Sequence, residues 1–77
     1  YYTIMSFGKI LKDLRTERHL SQQQLADLLN ISQSAIAKWE LGKTEPTASA
    51  IVSVALFFDV SCDFLLGLKD EFDNKIK

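Results

Sequence analysis

A chain of 77 residues can enclose a single core, so any function has to sit on one compact body. Its composition, 47% apolar and 25% charged with one Pro and three Gly, excludes a disordered chain, and no apolar run reaches the roughly 20 residues that span a bilayer. The formal net charge of -1 excludes a strongly basic polyanion binder, although residues 1–45 hold six basic against five acidic side chains and residues 46–77 hold three against five.

Residues 1–5 lack helical periodicity and read as an N-terminal extension, with Met5 suited to be the native initiator behind added residues. Nothing there resembles a secretory start, so a cytoplasmic protein is expected. Phe7, Ile10, Leu11 and Leu14 recur at helical spacing and predict a first helix from about residue 6 to 18, with Ser6 as its N-cap. His19 falls in an exposed turn. A second helix opens at Ser21, where Gln24 three residues on completes a capping box, and it is expected to bury Leu25, Leu28 and Leu29. Asn30 and Ile31 connect it tightly to Ser32, the N-cap of a third helix running to about Leu41, with Ile36 and Trp39 inward and Gly42 closing it.

Pro46 and Thr47 end the longest loop and start a fourth helix, whose apolar stripe is Ile51, Val54, Ala55 and Phe58. A short fifth helix from Cys62 to Leu66 follows, stopped by Gly67. Cys62 is the lone cysteine and reads as a small core residue; with one His it is too little for a structural zinc site of about four ligands, so no metal or other cofactor is expected. Residues 68–77 form a polar tail. The fold expected is therefore all-α, a compact five-helix bundle over residues 6–67.

The second and third helices, a few residues apart, fit a helix-turn-helix, though any helical bundle contains such pairs. The outward side of the third helix is more informative: Gln33, Ser34, Ala37, Lys38 and Leu41 form a face of short or hydrogen-bonding side chains. Base edges in the major groove present donors, acceptors and thymine methyls, and an amide, a hydroxyl, a small apolar group and a cation answer each kind. A solvated helix face is the plain alternative.

The runs Leu20-Ser21-Gln22-Gln23-Gln24-Leu25-Ala26 and Ile31-Ser32-Gln33-Ser34-Ala35-Ile36-Ala37-Lys38-Trp39-Glu40-Leu41-Gly42-Lys43, with Pro46, resemble the lambdoid repressor and Cro family of helix-turn-helix domains, also called the xenobiotic-response-element family. Val60-Ser61-Cys62-Asp63-Phe64-Leu65-Leu66-Gly67 extends the similarity to the family's fifth helix. The resemblance implies a domain whose third helix enters the major groove, usually as a homodimer on a palindromic operator in double-stranded DNA.

Carried over by position, it implies that Gln33, Ser34 and Lys38 read bases, with Ala37 able to touch a thymine methyl. Gln22 and Lys43 correspond to phosphate contacts, with ordinary surface polarity as the alternative for both. Ser32 is first a cap, and any phosphate contact of its hydroxyl comes in addition. Arg15 and Glu40 correspond to a largely buried ion pair linking the first helix to the third. Trp39 belongs to the core rather than to a stacking platform.

One departure stands out: Leu56 falls where the family is more often polar, and Val52 one turn earlier extends that apolar surface. Self-association through the fourth and fifth helices and a wider core face both account for it. The function expected is sequence-specific DNA binding by a transcriptional regulator, a repressor of phage, mobile-element or bacterial genes. The competing reading is a protein-interaction module of the same fold, related to antitoxins or anti-repressors. An enzyme is not expected, since His19 and Cys62 have neither a glycine-rich loop nor a carboxylate cluster beside them.

Overall fold

Hydroxyl side chains start every described helix but the first, and residues with left-handed backbone follow each helix end. The computed structural model describes residues 5–67, which form α1 (Met5–Glu17), α2 (Gln22–Leu29), α3 (Gln33–Glu40), α4 (Ala48–Phe58) and α5 (Cys62–Leu65), with no strand among the described residues. Of the expected N-terminal extension only Met5 lies within that range, as the first residue of α1, and the expected polar tail lies outside it. Ser6 therefore sits inside the helix rather than at its cap. A hydroxyl marks only a local preference, and a helix end shifts by a residue or two where the preceding turn continues it.

Ser21, Ser32, Thr47 and Ser61 each accept a hydrogen bond from the backbone N–H three residues on, which satisfies a donor the helix cannot satisfy itself. At Ser21 the Gln24 side chain answers in return, which completes the capping box. At the other ends, His19, Asn30 and Asp59 take φ near 58°, and Gly42 and Gly67 take 72° and 78°. After each of the first four, the next residue's N–H reaches five positions back: Leu20 to Arg15, Ile31 to Ala26, Lys43 to Lys38 and Val60 to Ala55. This closes the last turns in Schellman fashion. Leu20, Ile31 and Val60 then pack against the core, so three of these stops also supply an apolar contact.

The core comprises Phe7 and Leu11 of α1, Leu25 and Ala26 of α2, Ile36 and Trp39 of α3, Val54, Ala55 and Phe58 of α4, and Leu65 of α5. Burying each large side chain contributes about 1.5–3 kcal/mol, against about 1 kcal/mol for a cap, so packing holds the fold and the caps set its boundaries. Trp39 meets Phe7 edge-on, with ring centroids 6.0 Å apart, which assigns it to the core. Cys62 is half-buried against the same cluster.

Leu28 is 57% exposed, contrary to the expectation that it is buried. The inward side of α2 is centred between Leu25 and Ala26, which places Leu29 at its middle and Leu28 roughly 110° away around the helix. Helical spacing from Leu25 alone cannot tell these sides apart; burial of the small Ala26 does.

Two contacts lock α1 against α3. Where the helices cross, a side chain on Gly8 would fall well inside contact distance of the Trp39 carbonyl oxygen and 3.2 Å from Glu40 Cα, so the backbones meet with nothing between them. Beside that crossing, Arg15 Nε and Nη2 donate to the two oxygens of Glu40 at 2.7 and 2.9 Å, and Nη1 donates to the Leu20 carbonyl at 2.8 Å. Only 11% of the Arg15 side chain and 4% of the Glu40 side chain remain exposed. The hydrogen bond to Glu40 holds the guanidinium pKa above its ordinary value, against the opposing effect of burial. Because the folded value is the raised one, the arginine's contribution is intact below the unfolded pKa and is lost only as pH climbs through the folded one, far above neutrality. Separately, Arg18 lies 5.0 Å from the Phe58 ring centroid and donates to the Phe57 and Phe58 carbonyls, which joins the α1–α2 turn to the C-terminal end of α4.

Removing either Arg15 or Glu40 strands the other charge, so Arg15→Met and Glu40→Leu are each expected to cost about 3–5 kcal/mol, while the double change recovers much of the loss. Denaturant melts of all four forms measure the coupling, and additive losses would show that the two side chains act independently. For Gly8→Ala the helix preference for Ala, worth about 1 kcal/mol, opposes the clash with the α3 backbone. The backbone cannot yield without moving α3, so net destabilisation is expected; a raised melting temperature would contradict it.

Candidate nucleic-acid interface

The outer side of α3 carries Ser34 and Lys38 exposed, with Gln33 and Ala37 half-buried beside them and Leu41, 67% exposed, at the end. The Ser32 cap fixes where this helix starts, and Ile36 and Trp39, both buried, fix its rotation. Since these inward residues anchor one side, Gln33, Ser34, Ala37 and Lys38 must share the other. The structure thus brings the expected base-reading residues onto one surface. The side chains of Lys38 and Lys43 have no ion-pair or hydrogen-bond partner among the described residues, and both residues are exposed. Neither α2 nor α3 has an acidic residue in its first turn, so no acidic side chain of their own opposes either positive helix end.

Gln22, the first residue of α2, lies next to this surface. Its Nε2 donates to Glu40 Oε1 at 3.1 Å, and its Oε1 accepts from Gln33 Nε2 at 2.7 Å. A hydrogen-bonded series therefore runs from Arg15 in α1 through Glu40 and Gln22 to Gln33 at the front of α3. Sequence reasoning assigned Gln22 and Gln33 separate tasks and missed the bond between them. The signal available was only that both are amides at the first positions of adjoining helices; the contact itself depends on how those helices meet. Ser21 and Gln24 satisfy each other through the capping box, which leaves the Gln22 and Gln23 N–H groups as the open donors of that helix end. Ser32 Oγ accepts the Ala35 N–H, and its own O–H remains able to donate outward. Gln23 instead bonds Asp27 along the same helix, which turns it away from this role.

Val52 and Leu56 lie apart from this surface on α4, 48% and 77% exposed. Of the two accounts given for them, a wider core face does not hold, because that face is formed by Val54, Ala55 and Phe58. Among the described residues no group of His, Cys, Asp and Glu could hold a metal ion. A shallow concavity of about 260 Å³ between α2, α3 and α4 is lined by Leu29, Ile31, Ala35, Trp39 and Ala50 with a few hydroxyls, and carries no ionisable group that could fix a charged cofactor.

A helix-turn-helix family model matches residues 11–65. The HTH-type transcriptional activator BcrR of Enterococcus faecalis is 44% identical over 63 residues, which is 82% of this chain and 31% of the activator. The restriction-modification controller protein C.AhdI from Aeromonas hydrophila has a similar structure, with a TM-score of 0.73 at 31% identity over 80% of this chain and 94% of that one. The P22 c2 repressor, solved in complex with a synthetic operator, gives a TM-score of 0.73 at 27% identity, covering 78% and 91%. The chain spans less than two thirds of the length of the curated relatives it matches. With five helices in this order and the family match running from α1 into α5, the chain belongs to the helix-turn-helix family.

Proposed function

We propose that this chain binds double-stranded DNA sequence-specifically and regulates transcription, with α3 lying in the major groove. The observation that carries the reading is the outer face of α3, where a braced Gln33 stands beside Ser34, Ala37 and the exposed Lys38. These groups answer the donors, acceptors and methyls of base edges, while the open N–H groups at the start of α2, the Ser32 hydroxyl and Lys43 suit phosphate oxygens. Gln22 has both ends of its amide engaged within the protein, so its role is to brace Gln33 and offer its backbone N–H to phosphate. The P22 c2 repressor is described in complex with an operator and BcrR as an activator, both consistent with regulation at DNA. Repression is the simpler mode for this body, because occupying an operator is enough to block a competitor. Such a protein works where DNA is, in the cytoplasm.

The binding unit in this reading is a homodimer on a palindromic operator, joined through the α4 surface that exposes Val52 and Leu56. Apolar side chains this exposed are uncovered in the monomer and gain by pairing. Two copies related by a two-fold axis would set half-sites about 10 base pairs apart on one face of the duplex.

Selecting bound sequences from a random duplex pool and then titrating single-base variants tests the reading. Gln33→Ala and Lys38→Ala should each relax one operator position, and its two-fold mate, by about 1–3 kcal/mol. Uniform weakening across all variants would demote these side chains to backbone contacts, and a pool with no enriched sequence would favour a protein partner for the same fold. Repeating the titrations across salt, Lys43→Ala should make the slope of log K against log salt shallower by about 0.9, the share of one phosphate. An unchanged slope and affinity would remove Lys43 from the interface.

A further inference from the structure

Helix α4 carries no charged side chain, whereas a helix with one side in water ordinarily displays charge there. Its buried side is Val54, Ala55 and Phe58. On the opposite side Ser49, Val52, Ser53 and Leu56 recur at i, i+3, i+4 and i+7, so they form one stripe, and all four are exposed. Small and large side chains alternate along it.

That order of sizes decides how two such stripes can meet. In a parallel two-fold pair each residue faces its own copy, so Leu56 crowds Leu56 while Ser53 leaves a gap at Ser53. In an antiparallel pair centred between Val52 and Ser53, Leu56 faces the partner's Ser49 and Val52 faces the partner's Ser53, large against small throughout. The same register carries Leu56 to the partner's concavity between α2, α3 and α4, because Ser49, Ala50 and Ser53 form the α4 wall of that hollow. It holds about 260 Å³ and has no ionisable group in its lining, which suits an uncharged aliphatic group. A cavity of about 150 Å³ already takes benzene, which is larger than a leucine side chain. Direction matters for α3 as well. A two-fold axis crossing both helices at right angles keeps their like sides together, and α2 and α3 lie across the concavity from the stripe. Both α3 helices then fall on one side of the pair, where a single duplex can meet both; a parallel pair sends them to opposite sides.

We propose that α4 pairs with α4 of a second copy in antiparallel register about Val52 and Ser53, with Leu56 of each seated in the other's concavity. The inference rests on the dimeric reading above and adds the direction, the register and the socket. An 11-residue helix is roughly 16 Å long, and a pair of that length covers much less than the roughly 1,200–2,000 Å² of a stable interface. The free protein therefore pairs weakly, and the second copy is held mainly when both occupy one duplex, which raises their local concentration.

Single cysteines on a Cys62→Ser background test the direction. Ser53 lies beside the axis of the antiparallel pair, so Ser53→Cys should form a disulfide-linked dimer under mild oxidation, about tenfold faster on a duplex selected from a random pool than without it. Ser49→Cys, roughly 10 Å along the helix from its own copy, should not. In a parallel pair both would link, and that result would overturn the proposal. In NMR spectra of the free protein, the methyl signals of Ala35 and Ala50, which line the concavity, should shift as the protein is concentrated into the millimolar range. Leu56→Ser, at an exposed position outside the core, should abolish the shift. Static methyl signals, or a Leu56→Ser protein that shifts like the parent, would overturn the socket and leave α4 to a partner other than a second copy. Two copies bound to one duplex without a Ser53→Cys link would place the dimer contact elsewhere and leave DNA reading intact. A pool with no enriched duplex, but with the methyl shifts present, would sink the DNA reading and leave the pairing standing.

Discussion

The bidentate bond between Arg15 and Glu40 is the constraint on which the functional surface depends. Apolar burial contributes more to stability, and a buried ion pair returns little net free energy once desolvation is counted. What the pair supplies is placement. Arg15 reaches the Leu20 carbonyl at the turn into α2 and the Glu40 carboxylate at the end of α3, while Glu40 also takes the amide of the first residue of α2. One carboxylate therefore ties three helices together at the point where α2 and α3 meet. Gly8 makes this possible, because the reach of Arg15 is limited and α1 must lie directly on the α3 backbone.

From that placement follows the way the surface would recognise DNA. With nine basic against ten acidic side chains, the chain has little general attraction for a polyanion. Affinity then has to come from a few positioned groups, and a loosely held glutamine would discriminate poorly. The bracing of Gln33 removes rotamer freedom before any partner arrives, and the starts of α2 and α3 add donors whose positions are fixed by the caps at Ser21 and Ser32. Lys38 and Lys43, exposed and with no side-chain partner among the described residues, supply charge without such bracing.

Much of this was legible in the sequence where the rule is local. Ser21, Ser32 and Thr47 are the caps expected, Gly42 and Gly67 are the stops expected, and Ile36 and Trp39 lie inward as their spacing implies. The rest was hidden because it depends on how helices meet. Leu28 has the spacing of a buried residue, but the small Ala26 turns α2 by packing closely, and size alone gave no sign of it. Gly8 reads as an unremarkable helix residue until the α3 backbone is placed against it. The Gln22–Gln33 bond spans 11 positions and the Gln22–Glu40 bond 18, across three elements, and the direction of each amide follows only from the carboxylate behind them. Left-handed closures at His19 and Asp59 were missed because neither residue is glycine, the usual signal.

The central claim is that a rigidly mounted α3, with the start of α2 beside it, forms the DNA-binding surface. Titrating a selected duplex into ¹⁵N-labelled protein tests this most directly. The account predicts that the largest backbone shift changes fall on Ser21 to Gln23 and on Ser32 to Lys38, that the Gln33 side-chain amide moves in step with them, and that Val54, Ala55 and Leu65 stay where they are. Changes centred on α1 or α5, with α3 silent, would contradict it.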